Sequence, residues 1–188
     1  MELPIKTFAS QETWREWLHD HYADQAGLWL KMAKKASGIP TVMYAEALDV
    51  ALCYGWIDGQ KKSFDESYFL QKFTPRRARS MWSQVNRDKV ADLIRRGLMQ
   101  PPGLAEIERA KADGRWEAAY ASPRNTVAPD DLLAALADSP KAQAFFEELN
   151  KTNQYSIVFQ IQGAKRSETR AARIAKFVGM CERGEKLY

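Results

Sequence analysis

Apolar positions recur along this chain with two periods, and the changes between them divide it into elements. Trp14, Trp17, Leu18 and Tyr22 fall at helical spacing behind Ser10, a suitable N-cap, which predicts a first helix ended before Gly27. Leu28–Ala33 is short, rich in large apolar residues and flanked by turn signals, the pattern of a strand, and 34–40 reads as a loop. Thr41 is placed to cap a second helix that carries Met43, Ala47, Leu48, Ala51 and Leu52 on one side and stops at Gly55. From Trp56 the period shortens. Segments 56–62 and 67–73 read as strands, and the four residues between them suit a hairpin.

Beyond the hairpin, Thr74–Arg79 is a basic loop. A helix with Val90, Leu93 and Ile94 on one face follows, capped by Ser83 or Asn86 and closed by Gly97. Pro101-Pro102-Gly103 separates it from a helix bearing Leu104 and Ile107. Residues 115–128, including Ser122-Pro123-Arg124-Asn125, have little periodicity and read as a connecting loop. The remainder is helical: elements open at Pro129 and Pro140, a short helix covers 155–161, and Ser167 caps the last. The fold class expected is α+β. A small antiparallel sheet of about three strands and its helices occupy 1–128, and a helical module of 129–188 packs on this body.

Composition narrows the class. The 188 residues are 45% hydrophobic and 28% charged, typical of a folded chain and unlike a disordered one. No apolar run approaches the ~20 residues of a membrane span, and the start lacks a basic-then-apolar leader, so a cytoplasmic location is expected. Cys53 and Cys181 are far apart and form no Cys-x-x-Cys pair, and His19 and His21 cannot chelate from one helical face. No metal and no cofactor is implied.

Charge is distributed unevenly along the chain. The net charge of +4 is the sum of −3 over residues 1–59, +6 over 60–96 and +1 over 97–188. The excess sits on the predicted hairpin and the segment after it, which suggests an anionic partner or else a solvated basic face. Within it, Arg76, Arg77 and Arg79 supply guanidinium groups suited to carboxylate or phosphate, or to ion pairing with Asp58, Asp65 or Glu66. The glycines of a phosphate loop are missing. Asp58 lies in an apolar strand beside Gly59. It is either a structural acceptor or a general acid or base, and Gly59 suggests a bulge or a close approach. Trp56, Tyr68, Phe69, Phe73 and Trp82 interleave with the charge, a composition found in single-stranded nucleic-acid platforms. Bulky residues on both strand faces predict cover on both sides of the sheet and little open platform.

A set of motifs runs in order along most of the chain: the run from Ala47 to Gly59, then Phe73-Thr74-Pro75-Arg76-Arg77, Ser80-x-Trp82-Ser83-x-x-Asn86 and Gly114-Arg115-Trp116-x-x-Ala119-Tyr120. Pro129-x-Asp131-Leu132, Ala164-Lys165-Arg166-x-Glu168-Thr169-Arg170 and Arg173-Ile174 follow. Together they resemble the YdeI/OmpD-associated (OmdA) family, although a tryptophan expected before Ile161 is replaced by Gln160. The resemblance implies a bacterial α+β protein with a helical C-terminal module from Pro129, and a family name that refers to bacteriocin protection and to a porin.

Three functional readings follow. The first is a soluble binding or protection protein holding a small anionic or aromatic ligand. Trp56 and Trp82 would form its walls, Arg76, Arg77 and Lys61 would supply charge, and Asp58, Ser83 and Asn86 would orient the ligand. The second is a nucleic-acid binder using residues 60–96. The third, less favoured, is an enzyme with Asp58 as acid or base.

Overall fold

The computed structural model describes residues 2–121 and 125–188, so part of the expected connecting loop, residues 122–124, lies outside the described residues. The chain divides into two units, Met1–Ala119 and Tyr120–Tyr188.

In the first unit, β1 (Ile5–Lys6), α1 (Gln11–His21), β2 (Leu28–Ala33), α2 (Tyr44–Cys53), β3 (Trp56–Ser63), β4 (Tyr68–Pro75), α3 (Gln84–Arg95) and α4 (Pro101–Ala112) follow in order. The sheet order is β1-β2-β4-β3. It has four strands and is mixed, because β1 runs parallel to β2 while the other pairings are antiparallel. The sequence pattern shows only three of these strands, since two residues are too few to display an alternation.

Local chemistry sets most boundaries. Ser10 caps α1 by accepting from the Thr13 N–H, and Thr13 Oγ1 accepts from the Ser10 N–H in return. Thr41 does not cap α2. Its Oγ1 accepts from the Ala33 N–H at 2.9 Å and ties off β2, while Met43 is the N-cap and its N–H is taken up by Glu46. Ser83 caps α3, with the Asn86 N–H on its hydroxyl at 3.1 Å. Pro101 and Pro102 are the first turn of α4 rather than a separator, a position where proline loses no helical hydrogen bond.

The core of this unit lies on one face of the sheet. Leu28, Leu30 and Met32 of β2 and Phe73 of β4 point into it, where they meet α1 and α2. Trp14 is its hub, with ring centroids 5.1 Å from Phe8, 5.5 Å from Trp17, 5.8 Å from Phe73 and 6.3 Å from Trp56.

The second unit holds α5 (Asp130–Ala137), α6 (Pro140–Glu148), α7 (Lys151–Gln162) and α8 (Ser167–Glu182). The helix expected over 155–161 is longer, because Asn150 caps it from the front with its side chain on the Asn153 N–H. Ser167 is the first residue of α8, and its N-cap is Arg166. Helix α8 packs against α5, α6 and α7 around Leu132, Phe146, Ile157, Ile161 and Phe177. The buried Asn153 side chain holds the C-terminus, accepting from the Leu187 and Tyr188 N–H groups, both at 3.1 Å.

Arg170 joins α8 to α5 by a two-pronged pair to Asp131, at 2.5 and 2.8 Å. Its guanidinium holds the Asp131 carboxyl below the ordinary aspartate range. A carboxyl depressed on folding adds stability above its unfolded value, near ~3.9, and loses it as pH falls through the folded value. Denaturation followed by circular dichroism from pH 5 to 2 is therefore expected to show a shallower acid limb for Asp131→Asn than for the parent. Identical limbs would count against the pair.

Candidate functional site

The hairpin β3–β4 builds the site. Asp58 pairs with Phe73, but Lys61 pairs with Gln71, so β3 carries one extra residue between them. This is the bulge that Gly59 suggests in the sequence. Its φ is not positive and a Cβ there would make ordinary contact with the Lys72 stem, so glycine is not required. Instead, Gln71 stabilises the bulge: its Nε2 donates to the Gly59 carbonyl at 2.8 Å and to the Gln60 carbonyl at 3.4 Å. The extra residue reverses the alternation, which turns Lys61 to the face of Gln71 and Phe69.

At the hairpin tip, Asp65 Oδ1 accepts from the Ser67 and Tyr68 N–H groups. Lys34, just past β2, donates from Nζ to the Asp65 carbonyl at 2.8 Å, and its N–H donates to the Ser67 carbonyl at 2.7 Å. These bonds draw the loop after β2 against the tip and close one end of a groove.

The groove, about 460 Å³, is lined by Lys34, Lys61, Lys62, Ser63 and Phe69. A second hollow of about 300 Å³ shares Lys61 and Phe69 and adds Tyr44 and Gln71. Lys61 Nζ lies 4.2 Å from the centre of the Phe69 ring, and the Tyr44 hydroxyl donates to Asp58 Oδ2 at 2.8 Å. No carboxylate lines either hollow. The arrangement offers cations around an aromatic surface, a set suited to an anion with a flat apolar part.

Seven of the eight residues selected from sequence fall into three places. Lys61 lines the groove, and Asp58 stands behind Tyr44. Trp56 is buried in the aromatic core, where its Nε1 donates to the Tyr22 carbonyl at 3.1 Å. Arg76, Trp82, Ser83 and Asn86 meet at the corner between β4 and α3. There the buried Arg76 guanidinium stacks 3.6 Å from the Trp82 ring centre and donates to the Met81 carbonyl. Arg77 is exposed.

Sequence reasoning passed over Arg115, Trp116 and Arg87 at this corner. Arg115 Nη1 donates to the Ser80 carbonyl at 2.7 Å, Arg87 Nη1 to the Trp116 carbonyl at 2.7 Å, and Trp116 meets Trp82 edge-on at 4.9 Å. Only the Gly114-Arg115-Trp116 motif hints at them. Lys34, Tyr44 and Phe69 of the groove carry no local signal as a set.

Among the described residues, no group of three or more His, Cys, Asp or Glu is placed to hold a metal, and no helix is long and apolar enough to cross a membrane. Both cysteines are free and buried. Burial pushes the Cys53 thiol up to about 11, so at pH 8 it is protonated and a poor nucleophile. A thiol reagent at pH 8 is expected to label Cys53 only on unfolding; rapid labelling of folded protein would contradict its placement.

Comparisons with known proteins now bear on the fold. Residues 6–106, more than half of the chain, match the family described as Domain of unknown function (DUF8412). The chain belongs to the DUF8412 family. Residues 125–184 match the family described as Bacteriocin-protection, YdeI or OmpD-Associated. The OmdA resemblance is thus carried by the C-terminal part. The motif blocks between Ala47 and Asn86, and with them the groove and the Arg76, Trp82 and Arg87 side of the corner, belong to the DUF8412 segment; Arg115 and Trp116 lie beyond it. No curated protein and no solved structure matches this DUF8412 chain significantly.

Proposed function

We propose that this is a binding protein for a small anionic ligand with a flat apolar part, held in the groove over Phe69. The observation that carries the reading is the convergence of Lys34 and Lys61 on an aromatic floor whose lining residues include no carboxylate. In this reading Lys61 touches the ligand, and Asp58 fixes the Tyr44 ring beside the groove by accepting a hydrogen bond from its hydroxyl. Trp56, Arg76, Trp82, Ser83 and Asn86 hold the strands that carry the groove, and Arg77 adds to the positive field. The groove has the size of a small-molecule site.

The C-terminal match to a family described by bacteriocin protection supports a protective role, exercised by sequestering the ligand. Two free buried thiols fit a reducing cytoplasm. The hydrogen bond that Asp58 accepts from Tyr44 suits a positioning role rather than acid or base chemistry.

A thermal-shift screen of aryl phosphates and aryl carboxylates is the test. At least one is expected to raise the melting temperature. Lys61→Ala is expected to weaken its binding about 10-fold or more, the worth of a charge-assisted hydrogen bond. No stabilisation by any member of the panel in folded protein, or unchanged affinity in Lys61→Ala, would refute the reading.

A further inference from the structure

The face of the sheet turned away from the core has a different character from the groove. Trp29 of β2 stands opposite Lys72 of β4, and Lys31 stands opposite Leu70, which in turn pairs with Lys62 of β3. None of these residues belongs to the hydrophobic cluster around Trp14, yet Leu70 is 1% exposed. The lysine stems beside it account for this, since long cationic side chains lie along apolar surface and carry the charge to its edge.

Every ring of this face carries a cation. Lys62 Nζ is 4.3 Å from the centre of Trp29 and Lys72 Nζ 5.9 Å from it, while Lys31 Nζ is 4.1 Å from Tyr68 and 4.6 Å from Phe64. Among the described residues no carboxylate pairs with Lys31, Lys62 or Lys72. The cover expected on both sides of the sheet is therefore, on this side, a layer of its own lysines and rings.

We propose that this face binds single-stranded nucleic acid. Its charge is complementary to a phosphate backbone, and its rings are the surfaces on which bases stack. In the free protein the ammonium groups rest on the ring faces. A bound strand offers them phosphates and leaves Trp29 and Tyr68 to the bases. The two rings lie at positions four residues apart along β2, about 13 Å, so one strand reaches both. The lysines are flexible point charges, and among the described residues no arginine fork stands on this face to read base edges, so binding is indifferent to sequence. A duplex buries its base faces and offers nothing to the rings.

The test is fluorescence anisotropy of a labelled dT12 oligonucleotide with the full chain. Binding is expected at 50 mM salt and is expected to fall about 20-fold by 200 mM, the slope for three released counterions on a single strand. Trp29→Ala is expected to weaken it about 5-fold or more, Trp29→Phe to restore most of the loss, and Lys31→Glu with Lys72→Glu to abolish it.

Lys61→Ala, which alters the groove, is expected to leave dT12 binding unchanged, so this proposal and the small-ligand reading fail separately. Circular dichroism of each variant excludes unfolding as the cause. Absence of dT12 binding at 50 mM salt overturns the proposal. So does equal affinity for a duplex of the same length, or unchanged affinity in a folded Trp29→Ala. Binding to phosphatidylserine vesicles without binding to dT12 would also overturn it and assign the face to a membrane surface.

Discussion

Trp14→Ala is expected to cost the first unit about 3–5 kcal/mol, a large share of the ~5–15 kcal/mol by which a domain is stable. Trp14 is fully buried, and its Nε1 donates to the Ala47 carbonyl at 3.0 Å. Truncation removes the ring that Phe8, Trp17, Trp56 and Phe73 all touch and leaves a cavity among large side chains that cannot collapse together. The readout is selective. All six tryptophans precede Tyr120, so their fluorescence follows the first unit alone. Urea unfolding by this signal is expected to show a midpoint well below the parent's. Trp14→Phe, which keeps a ring but loses the indole donor, is expected to cost less than half as much. A loss under about 1 kcal/mol for Trp14→Ala would mean that the hub is misplaced.

This cluster shows what a linear sequence displays and what it conceals. Trp14, Trp17 and Leu18 announce an amphipathic helix, and Ser10 its start, because both depend on neighbours within four residues. The short run of large apolar residues between turn signals at 28–33 announces β2 for the same reason. Thr41 misleads because two partners compete for one hydroxyl. A helix start was available nearby, but the Ala33 N–H at the end of β2 takes the oxygen instead. That choice depends on a segment eight residues away. Pro101 and Pro102 mislead differently, since proline both breaks a helix and begins one, and only the helix behind them decides which.

The site divides along the same line. Lys61 and Lys62 are visible as charge on a hairpin. Which of them faces the groove is not, because that follows from a one-residue bulge whose carbonyls are taken up by Gln71 on the neighbouring strand. Phe69 reads as core by alternation and does point to the core side, but it lies where the groove opens. Lys34 reaches the groove through the Asp65 carbonyl, 31 residues along the chain. Long-range pairing of this kind leaves no local pattern. The Arg115 bond to the Ser80 carbonyl, across 35 residues, is hidden for the same reason, although both residues stand in motifs that the sequence singles out.

The second large effect expected is a reversal of sign between two glycines. Replacing an interior helical glycine by alanine ordinarily stabilises by up to about 1 kcal/mol, because glycine gives up more backbone freedom on folding. Gly179 in α8 meets that condition: a Cβ there would find only Arg183 Nη1, at 3.4 Å, the far end of a flexible side chain. Gly179→Ala is expected to raise stability by that amount. Gly103 in α4 does not meet it. A Cβ there would lie 2.2 Å from the Cys53 carbonyl oxygen and 2.7 Å from Met99 Cε. The Cys53 carbonyl ends α2 and also accepts from the Gln100 N–H at 3.1 Å, so α4 begins directly upon that end. Backbone cannot rotate away as a side chain can; either α4 shifts by about an ångström or the hydrogen bond breaks. Gly103→Ala is therefore expected to destabilise by about 2–3 kcal/mol, the cost of overpacking a tight contact. Urea unfolding by tryptophan fluorescence for Gly103→Ala and by circular dichroism for Gly179→Ala measures both. If Gly103→Ala left stability unchanged or raised it, the close seating of α4 on the end of α2 would be wrong.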